Sequence, residues 1–256
     1  MENKITVVIT THNEAENIKE AIESAQLLTH DILVVDTSST DKTVSTAKKL
    51  GSRILSHPYT VYVEPTRGFA MNQVDADWVF ILDADERITK ELAHEILSVI
   101  SDTTATHFKV ARKNIFGQTR WLKYGGWYPD RIIRLIKKET FLVWPKEIHS
   151  TPQINGEMGC LKEPLIHKFH PNLENMVAKT AIFEDIESEL LYKAGRKAGT
   201  LTFMRKFFGE LYRRLLKWAG FLDGASGVIE SIYQAYSKTV TYLMLYEKNQ
   251  RKSLTS

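Results

Sequence analysis

The stretch WVFILDADERI, Trp78 to Ile88, decides how the rest of the chain is read. Trp78 to Leu82 are almost wholly apolar, and Asp83, Asp85 and Glu86 follow at once. A short apolar run that stops at polar residues reads as a strand buried on both faces. Alternate side chains of a strand share a face, so the D-x-D spacing points both carboxylates into one crevice at the strand's end. Two like charges that close repel each other unless a cation or a donor compensates. A hard divalent ion with oxygen ligands is the natural partner, and it can carry a diphosphate on its other sites. The competing reading is a helix N-terminus, where acids favour the dipole of the following helix. Glu86 is assigned to that second role.

Working outward, KITVVIT (Lys4 to Thr10), DILVVD (Asp31 to Asp36) and Arg53 to Ser56 give further strand patterns. Between them, Ala15 to Ala25 places Ile18, Ala21, Ile22 and Ala25 at helical spacing. SSTDKT offers Ser39 or Thr40 as the cap of a helix running to Leu50, with Gly51 ending it. A helical segment is expected around Phe69 to Val74, and another over Ile88 to Ile100 with Thr89 as its cap. Strands alternating with helices mean an α/β fold with a mostly parallel sheet and helices on both faces. Ligands of such sheets bind beyond the carboxyl ends of the strands. THNE, VVDTSSTD and LDADE each follow such an end, so all three are expected to converge on one crevice. From Thr106 to about Lys168 the pattern changes to strand-like pieces (HFKVAR, RIIRLI, FLVW, PLIHKF) joined by aromatic and glycine-rich links such as YGGWYPD. From Asn172 the chain reads as helical.

Asp36 sits on its strand, where a carboxylate accepts hydrogen bonds from a base or ribose; the crowd of Ser, Thr and Asp after it also suits a helix cap. Asp41 is assigned the capping role alone. Thr10, Thr11, His12 and Asn13 close the first strand, and Thr11 with Glu14 also reads as a capping box. The first strand is not followed by G-x-G-x-x-G or by G-x-x-x-x-G-K-[ST], which disfavours a dinucleotide fold and a phosphate-loop ATPase. The net charge of +3 makes no case for nucleic acid. The single cysteine, Cys160, excludes an internal disulfide and fits a reducing compartment. No window approaches the roughly 18 apolar residues of a spanning helix. The N-terminal run MENKITVVIT is too short for a signal-peptide core. The expectation is a cytoplasmic protein whose membrane contact, if any, is peripheral.

ITVVITTHNEAENI, ILVVDTSSTDKT and WVFILDADERI, in this order and spacing, resemble the family 2 glycosyltransferases of the GT-A fold. YGGWYPDRIIRLIKK, the EIHSTP and PLIHKFH segments and GFLDGASGVIESIYQAY resemble its lipopolysaccharide core β-glucosyltransferase subgroup. That subgroup has His-Glu where this chain has His149-Ser150. It has a basic residue next to Asn72, where this chain has Met71 with Arg67 nearby. The resemblance implies a GT-A (Rossmann-like) domain over 1–170, with a nucleotide-binding half (1–105) and an acceptor half (106–170). It implies a nucleotide-sugar donor, a UDP-sugar first among them, an inverting mechanism and Mg2+ or Mn2+. By position, Thr10, His12 and Asp36 line the base and ribose, with Asn13, Arg67 and Arg134 also on the donor. Asp83 meets the ribose or the metal, and Asp85 ligates the metal. The acceptor hydroxyl is a poor nucleophile, so a carboxylate must take its proton. Asp130, in the aromatic loop where a sugar stacks on Trp127 or Tyr128, is the first candidate, and Glu147 the second; Pro129-Asp130 also reads as an ordinary turn. His149 is a further candidate for metal or phosphate. The acceptor is expected to be a cell-envelope glycolipid or saccharide. The alternatives are a polyprenyl phosphate, which needs no base, and a non-catalytic nucleotide-sugar-binding module.

Residues 171–256 are expected to form a C-terminal helical extension. Lys193 to Lys217 interleaves eight basic residues with apolar and aromatic ones against one acid, Glu210. That pattern describes an interfacial helix on an anionic leaflet, here the inner face of the cytoplasmic membrane; the bland alternative is a core-packing helix with a solvated basic face. The following run can dock on the first helix or serve self-association into a homo-oligomer.

Overall fold

Apolar runs that are buried on both faces must find helices on both sides of a sheet, and these do. The computed structural model describes residues 3–117, 119–170 and 172–255. In chain order the first half runs β1 (Ile5–Thr11), α1 (Ile18–Ala25), β2 (Ile32–Asp36), α2 (Thr43–Lys49), β3 (Arg53–Ser56), α3 (Glu64–Gln73), β4 (Trp78–Asp83), β5 (Glu86–Arg87) and α4 (Lys90–Ser101). Then come β6 (His107–Phe116), β7 (Arg120–Trp121), β8 (Asp130–Lys137), β9 (Phe141–Val143), β10 (Gln153–Ile154), β11 (Met158–Cys160) and β12 (Leu165–His170). Among the described residues three α-helices follow, α5 (Leu173–Lys193), α6 (Thr200–Leu211) and α7 (Gly224–Thr255), with a π-helical turn (Tyr212–Lys217) and a 3-10 turn (Gly220–Asp223) between the last two.

The main sheet has the order β3-β2-β1-β4-β8-β6-β12-β5, with β7 and β11 also paired to β6. β1 to β4 are mutually parallel, and β8 and β6 add in antiparallel sense. The pleat sorts β4 as its pattern requires. Trp78, Phe80 and Leu82 join the core under α1 and α4, while Val79 and Ile81 join the one under α3. Each such side chain contributes about 1.5–3 kcal/mol of burial. The helix expected over residues 88–100 begins at Lys90, and the Thr89 side chain accepts from the Leu92 amide at 3.1 Å, as an N-cap should. Neither Ser39 nor Thr40 caps α2. Asp41 accepts from the Thr43 amide instead, at 2.9 Å, and also ties the Ala15 amide of the preceding loop at 3.0 Å. The box expected of Thr11 and Glu14 does not form, because Thr11 ends β1 and α1 starts only at Ile18.

The chain divides into two compact units: residues up to Arg112 with Asp130–His167, and Lys113–Pro129 with the chain from Lys168 onward. The second unit therefore takes in the aromatic loop that the sequence groups with the acceptor half. Backbone hydrogen-bonding explains this. The Asp223 carboxylate accepts from the amides of Lys123 and Tyr124 at 2.9 and 2.8 Å, and the Trp218 carbonyl accepts from Gly125 at 2.8 Å. Gly126 has a φ of +82°, and a Cβ there would lie 2.6 Å from the Trp218 ring. No side chain larger than hydrogen fits that approach.

Within this helical unit, Glu230 on α7 is fully buried. Burial pushes its carboxyl up to about 7, opposed in part by Gln234 and Arg214. The folded state thus holds this proton more tightly than the unfolded chain, whose value is near 4.5. The resulting stability is full below pH 4.5 and is lost as pH rises toward 7. At about pH 8, Glu230→Gln is expected to raise unfolding stability by about 1–3 kcal/mol. The gain should shrink below pH 7 and vanish near pH 4.5, which urea unfolding curves across that range will read.

Candidate active site

Register brings the three strand ends together. Thr10 lies beside Asp83 across β1 and β4, and Thr11 beside Asp36 across β1 and β2. The β1 and β2 loops are then stitched to each other. Thr11 Oγ1 donates to Asp36 Oδ1 at 3.2 Å, and the Ser39 amide donates to Asp36 Oδ2 at 3.0 Å. The Asn13 amide donates to Ser39 Oγ at 2.8 Å, and Asn13 Oδ1 accepts from the Thr40 amide at 2.8 Å. His12 Nδ1 sits 2.6 Å from the Thr37 carbonyl, and its ring meets Tyr59 with centroids 4.4 Å apart. Asp36 is 5% exposed with both oxygens accepting protein hydrogen bonds, and Asn13 is bonded across to the β2 loop, so these two tie the loops together and do not line the cavity at these strand ends.

A cavity of about 250 Å³ opens at these ends, lined by Thr10, His12, Thr37, Asp83, Asp85 and His167 among others. Order reverses here, since β1 is flanked by β2 on one side and β4 on the other, which is where open α/β sheets take ligands. Thr10 Oγ1 is buried without a hydrogen-bond partner among the described residues. Asp85 Oδ2 lies 3.5 Å from His167 Nε2. His167 comes from β12, where it pairs in register with Glu86 of β5.

Asp83 and Asp85 share the cavity but not their partners. Arg67 Nη2 lies 2.6 and 2.8 Å from the two oxygens of Asp83, and Arg134 Nη2 also donates to Oδ2. Burial alone raises the Asp83 carboxyl, but the Arg134 and Arg67 guanidiniums outweigh it and hold the group well below the usual carboxylate range. Arg134 also donates to Glu86 Oε1 at 2.6 Å, and Glu86 Oε2 accepts from the Asp83 amide at 3.1 Å. Two sequence expectations are corrected here. Glu86 is not a helix-end charge: it sits in β5, fully buried, and α4 begins four residues later. Arg134 does not face the cavity: only 2% of its side chain is exposed, because two carboxylates draw it into the sheet. The basic residue nearest Asn72 in sequence is Arg67, on α3. It precedes Met71 by four positions on α3, one turn away on the same face.

Asp130 opens β8 opposite Arg112 of β6 and pairs with it, the Arg112 Nη2 lying 2.5 Å and Nε 2.8 Å from Oδ2. Asp130 does not line the cavity, nor do Glu147 and His149, which are exposed in the turn after β9. The His149 amide donates to Glu64 Oε1 at 2.9 Å. The imidazole set beside Asp85 is therefore that of His167, which sequence reasoning passed over as part of a strand. In the helical unit, Trp127 packs against Phe169 at 4.5 Å and beneath the Arg214 guanidinium at 4.8 Å, and Tyr128 meets Trp121 edge-on.

The same architecture occurs in a solved mannosyltransferase of Pyrobaculum calidifontis in complex with GDP-Man and Mn2+. It matches over 96% of this chain and 86% of that one, with a TM-score of 0.55 at 14% identity. The fold is GT-A. The model of glycosyl transferase family 2 matches residues 6–155, and the chain belongs to that family. It is an enzyme that transfers sugar from a nucleotide donor. An uncharacterised glycosyltransferase of Rickettsia conorii is 26% identical over 96% of this chain and 91% of its own length. The lipopolysaccharide core biosynthesis glycosyltransferase LpsC of Rhizobium meliloti is 24% identical over 97% and 94%.

Removing one partner of a buried ion cluster leaves an uncompensated charge. Arg134→Met is therefore expected to lower unfolding stability by about 3–5 kcal/mol. Glu147→Gln, in the exposed turn, should change it by less than about 0.5 kcal/mol. Chemical denaturation of the two variants checks the contrast.

Proposed function

We propose that the enzyme moves a hexose from a UDP-sugar to a cell-envelope glycolipid or saccharide, with inversion at the anomeric carbon and with Mg2+ or Mn2+ in the site. The observation that carries this reading is the pair Asp85 and His167 on the wall of a cavity that Thr10 and His12 also line. Among the described residues no cluster of three or more His, Cys, Asp or Glu side chains surrounds a metal position. Two protein ligands suffice where a diphosphate supplies the others, as hard divalent ions at phosphate sites require. A carboxylate oxygen suits Mg2+ and Mn2+ alike, an imidazole nitrogen beside it favours Mn2+ over Mg2+, and Asp83, held by two arginines, is left out of the ligand set. When bound, the ion offsets the charge that develops on the leaving diphosphate.

The chain's own residues do the rest. Thr10 and His12 hold the base and ribose, while Asp36 and Asn13 keep the two loops at a fixed width. Asp130 takes the proton of the acceptor hydroxyl as the new bond to the anomeric carbon forms and the bond to the diphosphate oxygen breaks. The LpsC relative and the subgroup motifs support an envelope acceptor.

Among the described residues no helix is long and apolar enough to cross a membrane. The second unit favours surface attachment. Leu201, Met204, Phe208 and Tyr212 of α6 and the turn after it are exposed at helical spacing, Leu201 by 87%. Beside this stripe, Arg205, Lys206, Arg213 and Lys238 line a recess of about 330 Å³. An apolar stripe flanked by cations complements an anionic leaflet.

Wild-type enzyme with Mn2+ and rough lipopolysaccharide should release nucleoside diphosphate from one member of a panel of UDP-glucose, UDP-galactose, UDP-N-acetylglucosamine and GDP-mannose. Asp85→Ala should cut that rate by about 100-fold or more. Full activity of Asp85→Ala at saturating metal would remove the metal from the mechanism. Separately, the enzyme should sediment with phosphatidylcholine–phosphatidylglycerol vesicles and not with phosphatidylcholine alone. The double change Leu201→Glu with Phe208→Glu should weaken this at least about tenfold; unaltered binding would refute the α6 face.

A further inference from the structure

Six charged side chains of the first unit stand in a row of alternating sign: Arg67, Asp83, Arg134, Glu86, Arg112 and Asp130. They come from five elements. The row runs from the aspartate beside the donor cavity to the carboxylate assigned as base. Glu86 is its centre, fully buried between Arg134 at 2.6 Å and Arg112 Nη1 at 3.8 Å. Asp130 and Arg134 both belong to β8, four residues apart in sequence, and the β6–β8 register shifts where Arg134 intervenes. One strand therefore carries both Asp130 and Arg134.

The contact at the far end is one-sided. Arg112 delivers both Nε and Nη2 to a single oxygen of Asp130, Oδ2, while Oδ1 takes no part in the pair. A side-on pair gripping both oxygens would satisfy the carboxylate and bury its basic lone pairs. This one fixes the plane of the group and leaves one oxygen to act. Buried ion chains are weak contributors to stability but strong determinants of geometry. Arg112 in turn is shared with Glu86, so its position is set from the donor side of the site.

We propose that Arg112 is a positioning residue for the transfer reaction. It holds Oδ2 of Asp130 so that Oδ1 accepts the proton of the acceptor hydroxyl, and Glu86 with Arg134 registers that carboxylate against Asp83 and the donor cavity. The role rests on the reading of Asp130 as the base. It goes beyond that reading in naming how the base is oriented and which buried acid links it to the nucleotide side.

The test compares Arg112→Ala, Arg112→Lys and Asp130→Asn on the donor that wild type turns over from the same panel, with rough lipopolysaccharide and Mn2+. Arg112→Ala should lose about 30–300-fold in kcat with donor KM and UDP affinity within about twofold of wild type. Guanidinium ion at non-denaturing concentration should restore part of that rate and none of the Asp130→Asn rate. Arg112→Lys keeps the charge but not the double contact and should lose about tenfold; it carries the test if the alanine variant does not fold. If Arg112→Ala keeps kcat within about threefold while Asp130→Asn is inactive, the positioning role is wrong and the base stands. If Asp130→Asn is active, both fall. Loss of UDP affinity without guanidinium rescue would make Arg112 merely structural and overturn the proposal. A wild type that turns over nothing in the panel overturns the proposed substrates and this role with them.

Discussion

A carboxylate at the end of a buried strand keeps its charge only if cations or donors replace the water it loses. Asp83 meets that demand with Arg67 from α3 and Arg134 from β8, and the rest of the site follows from the pairing. Arg134 brings Glu86 into the sheet, and Glu86 returns the favour by accepting from the Asp83 amide. With Asp83 engaged in this way, the D-x-D pair divides its labour. Asp83 anchors the strand end, and Asp85, one turn residue beyond, meets His167 at the cavity wall. Two carboxylates that the spacing suggested as joint ligands thus stand in different electrostatic surroundings.

The same logic separates the walls of the crevice from its working surface. Asp36 and Asn13 spend their hydrogen bonds on backbone and hydroxyl groups of the facing loop, which makes the β1 and β2 ends one rigid rim. Thr10 lines the cavity, and its buried hydroxyl has no hydrogen-bond partner among the described residues.

Much of this was legible in the chain because it is local. Val7, Val34 and Phe80 sit in strands whose period and punctuation need no partner to be recognised, and Thr89 announces α4 one residue before it starts. Parallel strands fed by helices leave few topologies, so the convergence of the THNE, VVDTSSTD and LDADE ends could be expected. What escaped is set by antiparallel register between distant segments. Nothing in PLIHKF shows that His167 lies opposite Glu86, nor does HFKVAR show that Arg112 faces Asp130. Glu86 was misread for a related reason: next to a helix start, a buried acid and a dipole-stabilising one look alike until Arg134 arrives from nearly fifty residues away. The assignment of YGGWYPD was likewise decided from afar, by Asp223 and Trp218.

With Asp83 engaged by Arg67 and Arg134, the proposed metal falls to Asp85 and His167. Pulsed electron paramagnetic resonance of the Mn2+–UDP complex of this enzyme addresses that directly, because a coordinated imidazole nitrogen couples to the manganese electrons and a carboxylate oxygen does not. The expected spectrum shows coupling to one imidazole nitrogen, lost in His167→Gln and kept in His149→Gln and Asp83→Asn. Coupling that persists in His167→Gln, or that disappears in His149→Gln, would contradict the assignment of Asp85 and His167 as the protein's share of the site.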